Sequence, residues 1–428
     1  MTPGASPGAT KRSFRHPASV RRMSDTDDRP GAPLAADPAL ARNPQPTYRS
    51  LVETTPAFRM DGVGVVAASR AAADAVLRHP DIFSSNMSAI DLKTRRPLIP
   101  MSIDPPAHRK YRKLLDPLFA PQRMNLLEDP VTRLANELID GFIEDDEVDF
   151  AARFSVPLPS QVFLTMLGLP LGELPRFLEM KDGIIRPQVV VGQPLGHPDT
   201  DRHQQAMADS IYAYFEKLLD ERADIRRDDL LGRFLDAEVE GERLTRDEIV
   251  DIGFQLLIAG LDTVTAALDC SFGYLAHHPD HRRQIVEHPE SIPSVVEELL
   301  RWETPVMAVV RVATREGELG DCPIHAGDQV LALIGAANLD DDDCPDADEL
   351  RWDREANRHL AFGGGIHRCL GSHLARLELR VALREWHRRI PEYSVSPGVD
   401  LHYSPGIRSV DTFPMLLGPR PERPEERK

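Results

Sequence analysis

Only four cysteines occur in this 428-residue sequence, scattered without a C-x-x-C pair. That excludes a disulfide-stapled fold and the paired spacings of common zinc sites. No uninterrupted apolar run approaches the ~18 residues of a membrane span. The opening MTPGASPGATKRSFRHPASVRR holds five Lys/Arg and no acid, but it lacks the apolar stretch of a secretory signal. Arg21-Arg22 is therefore only a superficial twin-arginine feature. Positive charge is also scarce: 51 Lys+Arg face 68 Asp+Glu, a net charge of −17. Binding nucleic-acid phosphates takes a surplus of cations. Together these absences point to a cytoplasmic protein with neither nucleic acid nor membrane as its partner.

What is present suffices for a large core, since 41% of residues are apolar and global disorder is excluded. Residues 1–45 are expected as a disordered lead-in, with Met23 a second candidate start. Residues 46–418 form a single domain, and 419–428 (PRPERPEERK) a loose tail. The Asp61-Gly62 pair between short apolar runs predicts a hairpin over 57–67. An amphipathic helix over 69–79 follows and stops at Pro80. Strand-like runs cover 306–313 and 329–333. Helical spacing covers 131–143, 206–225, 246–278, 291–301 and 370–388. The fold class is mostly α with small β-sheets (α+β).

The helix predicted over 246–278 is unusual. Thr245 and Glu248 form a capping box, and at 1.5 Å per residue the helix would run about 50 Å. Apolar residues lie on every face, the mark of a buried central helix. Asp262-Thr263 nevertheless sits in its middle, and unpartnered buried polar groups cost roughly 1–3 kcal/mol. That pair needs a task.

Cys369 closes the run Phe362-Gly363-Gly364-Gly365-Ile366-His367-Arg368-Cys369-Leu370-Gly371, just before a patterned helix. Glycines permit a tight loop and close approach to a flat ligand, and a helix N-terminus favours thiolate. The pattern suits a thiolate filling one metal coordination position. The ordinary alternative for a lone cysteine is a buried structural residue beside a Gly-rich turn.

FGGGIHRCLG resembles the haem-ligating loop of the cytochromes P450, F-G-x-G-x-H-x-C-x-G, with every specified position filled. Ala259-Gly260-Leu261-Asp262-Thr263 is similar to that family's oxygen-binding A-G-x-D/E-T segment. Glu298-Leu299-Leu300-Arg301 is similar to its E-x-x-R. Asp104-Pro105-Pro106-Ala107-His108 with Arg112 is similar to its D-P-P-x-H-x-x-x-R. Similarity spans about residues 46–418 and is closest to the soluble bacterial, camphor-hydroxylase-like class.

The resemblance implies the P450 fold, with the long helix over haem b and Cys369 as proximal thiolate. It implies O2 activation with two electrons and hydroxylation of a hydrophobic small molecule. Asp262 and Thr263 would relay protons beside a widened turn at Ala259-Gly260, and His108, Arg112, Arg311 and His367 would bind the haem propionates. Phe362, Gly363, Leu370 and Gly371 would contact the haem, and Glu298, Arg301 and Arg354 would form a buried structural trio. Leu98, Ile99, Leu257, Ala259, Met307, Val309 and Ile407 would form the distal wall, with Arg96 or Arg408 available to anchor a carboxylate.

No leftover segment accommodates a flavin or iron–sulfur domain, so electrons are expected from another protein, read as a ferredoxin with its NAD(P)H-driven reductase. Stretches 105–123 and 354–389 are rich in Lys/Arg and suit an acidic donor, with Arg109, Lys110 and Arg112 as docking residues. The protein is expected to be a monomer. Two rival readings are a peroxygenase or decarboxylase of the same haem-thiolate type, and a non-catalytic gas sensor. The Gly62–Ala67 match to a dinucleotide fingerprint lies inside the hairpin and is discounted. The acidic run 340–349 lacks calcium-loop spacing and reads as a solvated loop.

Overall fold

The expected hairpin forms: strands Ala57–Met60 and Gly64–Ala67 pair antiparallel around Gly62, whose φ is 74°. The computed structural model describes residues 38–86, 92–225, 227–239 and 241–419. The hairpin opens a five-stranded sheet continued by Gln329–Ala332, Val309–Ala313 and Phe83–Ser84. Gly64–Ala67 and Gln329–Ala332 run parallel, so the helical mass lies between them in sequence. Ser69 caps the helix Arg70–Arg78 by accepting from the Ala72 N–H, and Ala72, Ala73, Val76 and Leu77 are buried.

The capping box at Thr245 and Glu248 is complete, with both reciprocal hydrogen bonds made. The central helix is not continuous, however. It runs as Arg246–Gly260 and Thr263–His277, interrupted at Leu261 and Asp262, where Asp262 takes φ −120° and ψ −33°. Apolar spacing alone carries no sign of this break. The stretch Arg246–His277 is also apolar enough by mean hydropathy to cross a membrane, contrary to the run-based expectation, but 78% of its most apolar window is buried inside the protein. It is a core helix.

Helices over Pro198–Glu221, Ile292–Glu303 and Ser372–Arg389 form where expected, with shifted ends. Two others, Pro157–Leu167 and Leu174–Ile185, escaped prediction because prolines near their starts masked the apolar spacing. Proline is tolerated there, where its missing N–H has no helical partner. The lead-in boundary also moves. Pro38–Arg42 is helical, Leu40 and Ala41 are buried, and the Ala41 carbonyl accepts from Arg408 Nε at 2.7 Å. Met23, the rest of that lead-in and the tail beyond Pro419 lie outside the described residues.

Candidate active site

The cysteine loop is held by its own backbone. Cys369 N–H donates to Phe362 O at 2.9 Å, and Gly363 N–H donates to Leu360 O at 2.7 Å. Gly365 has φ +65°, and a Cβ there would lie 2.1 Å from Leu77 O. Only glycine lets the loop press against the end of Arg70–Arg78. Cys369 lies within the protein mass, yet its side chain keeps accessible surface because it opens onto an internal cavity. Burial pushes the thiol up, while the Gly371 N–H and the guanidinium groups of Arg112, Arg368 and Arg376 pull the other way.

That cavity, about 660 Å³, brings together residues far apart in sequence. Phe362, Gly363, His367, Cys369, Leu370 and Gly371 line it, as do Ala259, Gly260, Asp262 and Thr263 from the broken helix. Of the predicted wall, Ile99, Ala259, Val309 and Ile407 line it. Leu98, Leu257 and Met307 do not; each is at most 2% exposed and packed in the core. Their neighbours Ile99, Leu256, Val306 and Ala308 face the cavity instead. At those three positions the right segment was chosen in the wrong phase.

Four cationic or basic side chains gather at one edge. His108 is 2% exposed and Arg311 7% exposed, and the His108 and His367 rings stand 4.3 Å apart. Both Nε2 atoms are buried without a partner. Arg311 donates to Val310 O at 2.8 Å, and no carboxylate pairs with it among the described residues. Burial, then the Arg311 charge, depresses the His367 pKa to about 3. Burial and the neighbouring Arg112 lower that of His108. Arg112 itself pairs with Asp116 at 2.7 Å and donates to Arg368 O at 2.9 Å. Two unpartnered imidazole nitrogens and a buried arginine beside a thiol, under an apolar roof, would fit a flat group that carries a metal for the thiolate and carboxylates at one edge. Haem b is such a group.

On the opposite wall, Thr263 Oγ1 donates to Ala259 O at 2.9 Å, satisfying a carbonyl near the helix break. Gly260 packs against Phe163, whose ring would lie 2.6 Å from an added Cβ. Asp262 is 1% exposed and accepts from Lys181 Nζ at 2.8 Å, a pairing no sequence pattern announced. Lys181 also contacts Asp182 at 2.8 Å. Asp182 pairs with Arg186 at 2.7 Å, and Arg186 with the exposed Asp411 at 2.6 Å. The chain of charges thus runs from the helix break to solvent. Glu378, another residue missed, lines the cavity with burial raising its pKa to about 8.

The trio forms as anticipated. Arg301 grips Glu298 bidentately, both contacts 2.8 Å, and Arg354 Nε donates to the same carboxylate at 2.9 Å. Burial opposes ionisation of Glu298, but Arg301 and the other donors hold its pKa below the usual value. Other expectations fail. Arg408 is a buried structural cation paired with Glu303 at 2.8 Å, and Arg96 pairs with Asp251 at 2.7 Å. Neither lines the cavity. Lys110 is held by Glu242 at 3.1 Å and Glu248 at 3.3 Å. Of the 354–389 arginines, Arg354, Arg376, Arg384, Arg388 and Arg389 all pair with carboxylates.

Comparison with known proteins agrees with this geometry. The family model for cytochrome P450 matches residues 54–390. A probable cytochrome P450 127A1 of Sinorhizobium fredii is 35% identical over 376 residues, covering 86% of each chain. A steroid C26-monooxygenase of Mycolicibacterium smegmatis is 32% identical, covering 87% of this chain and 92% of its own. The solved structure of a mutant P450 EryK with erythromycin B superposes with a TM-score of 0.81 at 29% identity, covering 92% of this chain and 100% of that one. The chain belongs to the cytochrome P450 family of haem-thiolate monooxygenases.

Proposed function

We propose that this monooxygenase hydroxylates a sizeable apolar molecule, with Cys369 as the haem ligand and a ferredoxin as electron donor. The observation that carries this is the Cys369 side chain, sharing one cavity with Ala259, Asp262 and Thr263. Haem bound there supplies O2 activation and transfer of one oxygen atom to a C–H bond.

The chain's own residues do the rest. His108, Arg112, Arg311 and His367 bind the haem carboxylates, which pairs the two orphaned imidazole nitrogens. Ile99, Leu256, Val306, Val309 and Ile407 present an apolar wall that binds a hydrophobic skeleton and keeps bulk water out. Asp262 hands protons toward Thr263, and Lys181, Asp182 and Arg186 connect Asp262 with solvent at Asp411. A relay of this kind supports O2-dependent turnover over peroxide-driven chemistry or gas sensing.

The steroid C26-monooxygenase among the relatives, the EryK structure with erythromycin B and the mostly apolar cavity support a sizeable, ring-containing substrate. For the donor, Arg109 and Arg368, one in each basic stretch, are exposed and suit an acidic ferredoxin. The protein is read as a cytoplasmic monomer. The test is the absorption spectrum of the reduced protein with carbon monoxide, in wild type and Cys369→Ser. A strongly red-shifted band that vanishes in the variant supports the assignment; its absence in wild type overturns it.

A further inference from the structure

Gln255 stands on the cavity face of the helix Arg246–Gly260, one turn before Ala259. Gln255 and Ala259, four apart, share a helix face, and Thr263 beyond the helix break lines the same cavity. Gln255 is 7% exposed, and its Oε1 is buried without a hydrogen-bond partner. Ile252 and Leu256 flank it on the same wall. Gln188, on the short helix Pro187–Val191, also lines the cavity, and its Oε1 is likewise buried and unpaired. Nearly all buried polar atoms in folded proteins find partners. Two orphaned carboxamide oxygens on the wall of one mostly apolar cavity therefore call for a ligand that brings its own donor.

We propose that Gln255 holds a hydroxyl group of the substrate, so that the molecule oxidised is an apolar ring-based alcohol, with Gln188 reading the same polar end. This rests on the cavity being the site of haem and substrate. The orphan atom is an acceptor, so it selects a donor. A hydroxyl donates to Oε1 and also accepts from an amide N–H, whereas a ketone or carboxylate offers no proton. At 1.5 Å per residue, the stretch from Gln255 across the helix break to Thr263 covers roughly 12 Å. That is the scale of a fused-ring skeleton, with its hydroxyl at Gln255 and the carbon to be oxidised near Thr263.

The probes are 5α-androstan-3β-ol and 5α-androstane, which differ by one hydroxyl. Their dissociation constants are read from the haem absorption of the holoenzyme, in wild type, Gln255→Leu and Gln255→Met. Wild type should bind the alcohol about tenfold to hundredfold more tightly, the range set by pairing a buried amide. Both variants should close that gap by weakening the alcohol alone, leaving the hydrocarbon unchanged. Equal wild-type affinities, a gap that survives both substitutions, or binding of neither probe overturns the proposal. The carbon monoxide spectrum is recorded first on the same wild-type sample, so a failure of the haem-thiolate reading is seen separately.

Discussion

Replacing Glu378 by glutamine should stabilise this protein, and increasingly so as pH rises. Glu378 is 2% exposed on the helix Ser372–Arg389, its Oε2 has no partner, and burial alone raises its pKa from 4.5 to about 8. Between those two values the folded state binds a proton that the unfolded chain releases. Stability then falls by about 1.36 kcal/mol per pH unit. From pH 6 to pH 8 the loss from this one group is about 2 kcal/mol, because ionisation of the folded state begins to limit it near the upper end. Glutamine cannot ionise, so the variant escapes the loss. Urea unfolding of both haem-loaded proteins at pH 6 and pH 8 measures it, since taking the difference cancels histidine titrations common to the two. The advantage of Glu378→Gln should widen by about 2 kcal/mol across that interval. An advantage that stays flat or shrinks would refute the reasoning and place a partner on the carboxylate.

Three further outcomes follow from particular contacts. Glu298→Leu leaves the buried Arg301 and Arg354 without a counter-charge and should cost about 3–5 kcal/mol in urea unfolding; a cost below about 1 kcal/mol would show that the carbonyl contacts of Arg301 suffice. Arg109→Glu should slow reduction by ferredoxin, with the defect shrinking as salt rises. Lys110→Glu should affect that rate less, because Glu242 and Glu248 already engage Lys110; stopped-flow reduction at two ionic strengths decides between them. Leu257→Ala should destabilise by about 2–5 kcal/mol as a core cavity, whereas Leu256→Ala should alter product distribution with a smaller loss of stability. Equal effects of the two would contradict the assigned helix phase.

Much of the site was legible because its parts are local in sequence. The cysteine loop occupies ten consecutive residues, and its turns follow from glycines that permit φ +66° at Gly363 and +65° at Gly365. Glu298 and Arg301 are three apart on one helix, so their pairing follows from helix geometry. The helix break was legible only through the family resemblance, which implied a widened turn at Ala259-Gly260, and not from apolar spacing. Leu261 and Asp262 are compatible with an uninterrupted apolar pattern, and the break is supported by contacts from elsewhere, chiefly Lys181 on Asp262.

The sequence by itself determined the thiolate candidate, the capping box, the hairpin and the family, since each depends on neighbours within a few residues. Tertiary structure alone decided which wall residues face the cavity. One step along a helix turns a side chain by about 100°, enough to send Leu257 into the core while Leu256 lines the site. It also decided the meeting of His108, Arg311 and His367, and the pairing of Lys181 with Asp262 across 81 residues. Such contacts depend on how whole helices and strands pack, and no local pattern encodes that.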